Sequence, residues 1–164
     1  MVHRWWWMAH ISSAESPALE ELFEREHQPM VRMAALMIGS GAPAEEVVQD
    51  AFAEVVKRWH SLDRPGGYLR TCVVNGCAQV LRRRETEARL SPTVAQTSAV
   101  ELPTHLVEIE AALNTLTDRR RLVVVLRYFV DVPDAEIAEL LGVRPATVRS
   151  LARRALAALK EELL

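Results

Sequence analysis

Near the C-terminus, Arg149, Ser150, Arg153 and Arg154 recur at spacings that gather them on one side of a helix, with Lys160 further along. An arginine guanidinium can fork onto O6 and N7 of guanine or onto a phosphate, so such a face can both read and anchor DNA. A helix-turn-helix would aim it. Ile137, Leu141, Val143, Val148 and Leu151 fall at the five slots where two crossed helices share a small core. Ala138 stands where the second helix comes close, and Gly142 where the chain must reverse. This arrangement pushes the second helix outward, into reach of the major groove. A merely solvated basic face is the plainer reading, but the slots and the charge coincide.

Elsewhere the 164-residue chain has the composition of a helical, globular protein. It is 49% apolar and 26% charged, with few Gly and Pro, and Leu, Ala, Val, Glu and Arg dominate. The longest apolar runs, such as Leu122 to Leu126, fall far short of a membrane span. Arg4 and Trp5-Trp6-Trp7-Met8 are interrupted at once by Ala9-His10, too short and too aromatic for a signal peptide, so a cytoplasmic protein is expected. Cys72 and Cys77, without a CxxC or a nearby His, read as buried reduced thiols rather than metal ligands. No phosphate-cradling Gly loop, HExxH or G-x-S-x-G elbow occurs, and His3, His10, His27, His60 and His105 are scattered. Neither catalysis nor a metal, cofactor or small-molecule substrate is expected.

The net charge of −2 hides a segregation. Ala44 to Glu54 holds four acids and no base, Arg64 to Arg84 five arginines and no acid, and Gly142 to Lys160 five bases and no acid. Separate surfaces for separate partners follow from such a distribution.

The elements that must carry these surfaces read as two helical blocks. Ser16-Pro17 opens the first, with Leu19, Leu22 and Phe23 inward, continuing after Pro29 through Val31, Ala34, Ala35 and Ile38 to Gly39-Ser40-Gly41. The clearest helix follows. Ala44, Val47, Val48, Ala51, Phe52, Val55, Val56 and Trp59 keep an i, i+3, i+4, i+7 rhythm, with Glu45, Glu46, Gln49, Asp50 and Glu54 opposite. Arg64-Pro65-Gly66-Gly67 reads as a turn, then a third helix has Leu69, Cys72, Val73, Cys77, Val80 and Leu81 inward. Arg70, Asn75, Gln79, Arg82 and Arg83 point largely outward. Residues 85–105 carry Ser, Thr and Pro with weak periodicity and read as a flexible linker. In the second block Leu106, Ile109, Leu113 and Leu116 share a face, and Thr117-Asp118 can cap a helix holding Leu122, Val125, Leu126 and Phe129. The expectation is an all-α chain. A 1–15 extension without fixed structure precedes a helical domain over 16–84, and a linker over 85–105 leads to a helix-turn-helix domain over 106–164.

At this point the chain resembles a family. LTDRRRLVVVLRYFVDVPDAEIAELLGVRPATVRSLARRALAALKEEL is similar to region 4 of extracytoplasmic-function (ECF) sigma factors. Alone, it is equally similar to the DNA-binding domain of a LuxR-type regulator, which leaves a stand-alone helix-turn-helix regulator as the alternative. FEREHQPMVRMAALMIGSGAPAEEVVQDAFAEVVKRW with YLRTCVVNGCAQVLRRR resembles region 2 of the same sigma factors, and the order of both blocks decides for them. The resemblance implies a factor that binds core RNA polymerase and promoter DNA and starts transcription. Under it, Glu46, Gln49, Asp50 and Glu54 would dock on the polymerase. His60, Leu62, Asp63, Arg70, Asn75, Gln79, Arg82 and Arg83 would meet the −10 element, with the Trp59 to Gly66 loop matching the segment that captures a flipped base. Arg144, Thr147, Arg149, Ser150, Arg153 and Arg154 would meet the −35 element. Trp59 and Tyr68 read as core and boundary residues rather than stacking platforms. Many relatives are held by an anti-sigma partner packed between the two domains, though no feature of the linker identifies one.

The departures are local. Leu151 replaces a usual basic residue and suits a core slot, and Pro133 replaces a capping Ser, leaving Asp134 as the substitute cap. Trp5-Trp6-Trp7 has no counterpart, and Met8 offers an alternative start.

Overall fold

Helix α1 (Ser16–Ile38) carries Leu19, Leu22, Val31, Ala34, Ala35 and Ile38 inward as its spacing requires. Pro29 interrupts its hydrogen bonding only on the exposed side, where water can serve the carbonyl left over. The computed structural model describes residues 16–39, 41–90 and 104–162, and every regular element among them is helical. The expected 1–15 extension with its tryptophans, and residues 91–103 of the expected linker, lie outside the described residues.

In α2 (Gly41–Arg58), Ala44, Val47, Val48, Ala51, Phe52 and Val55 are buried and Val56 is half-buried, so the patterned stripe is the packed one. A 3₁₀ turn, Trp59–Ser61, leads to α3 (Pro65–Leu90). The turn expected at Arg64–Gly67 falls earlier, at Leu62–Arg64. Pro65 opens the helix instead, because its fixed φ and missing N–H cost nothing in a first turn. Helix α3 buries Leu69, Val73, Cys77, Ala78 and Leu81 against α1 and α2. Burial pushes the Cys77 thiol up to about 12. Cys72, expected to be buried, is half-buried, and both thiols are free. Helix α3 also overruns the boundary set for it: Glu85–Leu90, read as the start of a linker, are helical. Glu, Ala, Arg and Leu in that stretch are all good helix formers, and Glu85 is held by a partner described below.

Helix α4 (Thr104–Asn114) buries Leu113, and Leu116 follows it into the core. Thr117 stands at the N-cap of α5 (Asp118–Val124) with extended backbone, although its hydroxyl makes no capping bond. Arg121 through Leu126 are all buried, on every side of the helix. A segment apolar on every side, as Leu122 to Leu126 is, belongs in an interior, and α5 packs against both α1 and α7. That burial explains the β-branched run Val123-Val124-Val125. The helix then widens into a π-helical turn, Val125–Phe129, closed by the Val130 N–H on the Val125 carbonyl at 3.1 Å. The extra residue shifts the phase, so Phe129, expected inward, is half exposed.

The helix-turn-helix is formed by α6 (Asp134–Leu141) and α7 (Pro145–Glu162). Pro133, rather than Asp134, holds the N-cap position of α6. Asp134 lies in the first turn and pairs with Arg127 at 3.4 Å, because the proline's extended backbone already breaks the helix there. Gly142 ends α6 at φ +63°, with Val143 N–H bonded to the Ala138 carbonyl at 2.9 Å. Nothing lies within 4 Å of where a Cβ on Gly142 would stand. Gly142→Val should therefore cost about 1–2 kcal/mol through left-handed strain alone. Gly142→Asn should cost less, and urea unfolding of the two variants will measure the difference. On α7 the buried residues are Val148, Ala152 and Ala155. Leu151, expected in the core, is half-buried at its edge, because Val148, Ala152 and Ala155 define the buried side of α7 and Leu151 falls beside it.

The two blocks are joined by a seam, where the sequence suggested bodies held apart on a slack tether. Ala34 through Gly39 are all buried, and α1 packs against α2 and α3 of its own block and against α5 of the other. Arg121, 6% exposed, donates from Nε to the Met37 carbonyl at 3.1 Å and from its other nitrogens to Asn114 Oδ1 and Asp118 Oδ1 at 3.2 and 2.7 Å. Arg84 donates to the Ile38 carbonyl at 2.6 Å. Both cations sit at the negative end of α1's dipole. Arg119 forks onto Glu85 at 2.5 and 2.9 Å and holds its carboxyl below the ordinary range.

Candidate nucleic-acid interface

Helix α7 presents a face opposite its buried side. By helical geometry Arg149, Ser150, Arg153 and Arg154 fall within an arc of about 140°. The three arginines are exposed, Ser150 is half-buried, and Arg144 and Thr147 at the N-terminal end of the helix are also exposed. The small core of Ile137, Ala138 and Val148 fixes α7 against α6, which is what holds this face outward. All six residues expected to meet DNA here are thus gathered on one accessible surface.

Helix α3 carries a second set. Arg70, Asn75, Gln79, Arg82 and Arg83 are exposed side chains on a helix whose other side is packed on α1 and α2. His60 and Asp63 are exposed and Leu62 half-buried in the loop before it. Trp59 and Tyr68 are both half-buried, boundary residues as expected, with the Arg58 guanidinium 5.8 Å from the Tyr68 ring centre. This set is not wholly open. Arg82 donates to the Leu140 carbonyl of α6 at 2.8 Å. Arg70 and Asn75 line a cleft of about 480 Å³ whose far wall includes Asp131, Glu136 and Glu139.

The third surface is acidic. On α2, Glu46 and Asp50 are exposed, and Gln49 and Glu54 flank them half-buried. Lys57 sits 2.6 Å from Glu54 and holds its carboxyl below the ordinary range, so Glu54 is the partly neutralised end of the stripe.

Sequence reasoning missed the residues of the seam. Arg121 lies in a run of three arginines with no periodic mark to set it apart, and nothing local says that one of them is buried. Gly39 was a usable signal, since a glycine closing a helix can admit a neighbour that a side chain would exclude.

Comparison with known proteins agrees with this architecture. Residues 22–87 match the family model described as Sigma-70 region 2, and residues 106–159 match Sigma-70, region 4. The RNA polymerase sigma-E factor of Streptomyces coelicolor is 28% identical, the match covering 88% of this chain and 85% of that one. The ECF RNA polymerase sigma factor SigM of Mycobacterium tuberculosis is 29% identical over 92% of this chain and 79% of its own. In fold, the chain is similar to the sigma factor RpoE of Bartonella quintana, solved in complex with the anti-sigma factor NepR. The TM-score is 0.64 at 21% identity, covering 93% of this chain and 98% of that one. The chain belongs to the sigma-70 family of transcription initiation factors. Within that family it is an RNA polymerase sigma factor of the ECF type.

Proposed function

We propose that the three surfaces divide the work of promoter-dependent initiation. The acidic stripe of α2 docks on core RNA polymerase, the exposed side of α3 with its preceding loop takes the −10 element, and the arginine face of α7 takes the −35 element. The observation that carries this reading is the α7 face: arginines set outward by a packed helix-turn-helix, opposite a buried alanine side. Arginines on α3 suit phosphates, while Asn75 and Gln79 suit base edges. Flipping a base costs a few kcal/mol, which contacts around the Leu62–Arg64 loop would offset. The polymerase supplies the chemistry, so the protein itself acts as a binding factor and not as an enzyme. It works in the cytoplasm, where the polymerase is; no helix among the described residues is long and apolar enough to cross a membrane.

Run-off transcription of genomic DNA with purified core polymerase tests this reading. Transcripts from discrete start sites that appear only when the protein is added are expected. Tight, sequence-selective DNA binding without polymerase, together with no transcription, would instead indicate a stand-alone regulator. Arg149→Ala and Arg153→Ala should each weaken initiation from such promoters by about 1–3 kcal/mol if the side chain reads a base. A residue that holds only phosphate should lower output evenly across promoters and flatten the salt dependence. Unchanged output would remove that residue from the interface.

A further inference from the structure

Trp5-Trp6-Trp7, preceded by Arg4, is a motif that the three charged surfaces leave unused. The match to Sigma-70 region 2 begins only at residue 22, so the family supplies no role for it. Three adjacent indoles carry on the order of 450–750 Å² of largely apolar surface. That equals or exceeds the largest apolar patch of a typical monomer, about 300–600 Å². A segment of this kind calls for an apolar surface to cover.

Helices α1 and α2 offer one close by. Leu19 and Phe23 of α1 with Phe52 and Val56 of α2 line an apolar dimple of about 10 Å³. Leu19 and Phe52 are buried at its floor, while Phe23 and Val56 are half-buried at its rim. Phe23 already packs on two rings, His27 with centroids 4.6 Å apart and Phe52 at 5.0 Å. The dimple admits no more than a water-sized group and offers water no polar partner, so the edge of a ring is the better occupant. A further ring laid across Phe23 and Val56 would extend the cluster in the offset or edge-to-face geometry that aromatic pairs prefer. Glu20 and Glu24, each following a dimple residue along α1, are exposed beside it, so a cation next to the indoles would meet acids there. Reach is ample. Residues 8–15 separate Trp7 from Ser16, a span of up to about 30 Å when extended. Leu19 and Phe23 stand only about 4.5 and 10.5 Å along the helix axis from Ser16.

We propose that Trp5-Trp6-Trp7 folds back along the first two turns of α1 and docks on this dimple, with an indole across Phe23 and Val56 and Arg4 beside Glu20 and Glu24. The segment thus gains a fixed place, in contrast to the extension without fixed structure expected from the sequence. The occupant is the chain's own N-terminal segment, because its tether holds it at high effective concentration beside a surface that matches it in polarity and charge. The docked arm braces α1 against α2, the helix that carries the acidic stripe. Glu46 and Asp50 lie roughly 120° and 160° round α2 from Phe52, so the dock leaves the centre of the stripe open.

Fluorescence of the full chain tests the dock in a Trp59→Phe background, where only Trp5, Trp6 and Trp7 emit. Their emission should be blue-shifted and resist quenching by acrylamide, and urea should abolish both effects. Changing the three tryptophans together to serine alters no residue of the described helices. It should lower the midpoint of thermal unfolding by about 4–10 °C, the shift that loss of one buried aromatic side chain gives in a chain of this size. Phe23→Ala should lower it too, and the combined variant should fall short of the sum of the two losses, because residues in contact couple. Phe129→Ala, at a half-exposed site in the other block, should add in full. If Phe23→Ala is poorly folded, Val56→Ala takes its place in the cycle. Additive losses, or indoles freely quenched in the folded chain, overturn the dock. Burial that grows with protein concentration, in step with sedimentation as a dimer, hands the segment to a second copy and overturns it equally. None of these readings depends on where polymerase or DNA binds, so the dock and the division of surfaces proposed above fail separately.

Discussion

Reversing Glu46 and Asp50 together to lysine should weaken capture by core RNA polymerase by roughly 100- to 1,000-fold, the equivalent of about 3–4 kcal/mol. Both carboxylates are exposed on α2, whose buried side is filled by Ala44, Val48, Ala51 and Val55, so the exchange leaves the packing alone. A rigid acidic stripe gains little from each exposed pair in water, but placing two cations against a basic partner adds repulsion to the lost attraction. Co-purification with core polymerase at low and high salt measures it. The wild-type complex should weaken as salt rises, since exposed charges are screened over about 8–10 Å at physiological ionic strength. The variant should show little further loss. An unimpaired complex would move the docking surface off α2.

Leu122→Ala should cost about 2–5 kcal/mol in unfolding free energy, read from urea denaturation by circular dichroism. Leu122 has no exposed surface and lies in α5, which packs against both α1 and α7. The cavity therefore opens in a helix that packs against both blocks, so the loss falls on the core that they share. Leu90→Ala, at a site 81% exposed near the end of α3, should change stability by no more than about 0.5 kcal/mol. Similar losses for the two variants would mean that α5 is not the interior helix described.

The contrast between α2 and α5 separates what could be read from the sequence and what could not. In α2 one face buries and the other meets water, so its apolar period marks its orientation and its acids mark the open side. The helix-turn-helix was legible for the same reason, down to Gly142, whose left-handed backbone a reversal demands. In α5 the period fails, because a helix covered on every side has no reason to alternate. A run such as Val123-Val124-Val125 then carries no orientation, and the π-helical turn that exposes Phe129 depends on packing across helices distant in sequence.

The amino-acid sequence alone determined the helices, their inward stripes, the reversal at Gly142 and the three charged surfaces, because each depends on residues within a few turns of one another. The tertiary structure alone decided that the halves share a core, that α3 continues to Leu90, and that Arg121 leaves solvent for the end of α1. Those outcomes depend on contacts between residues as far apart as Met37 and Arg121. No local pattern records them, since an arginine bound for water and one bound for a buried carbonyl are the same letter.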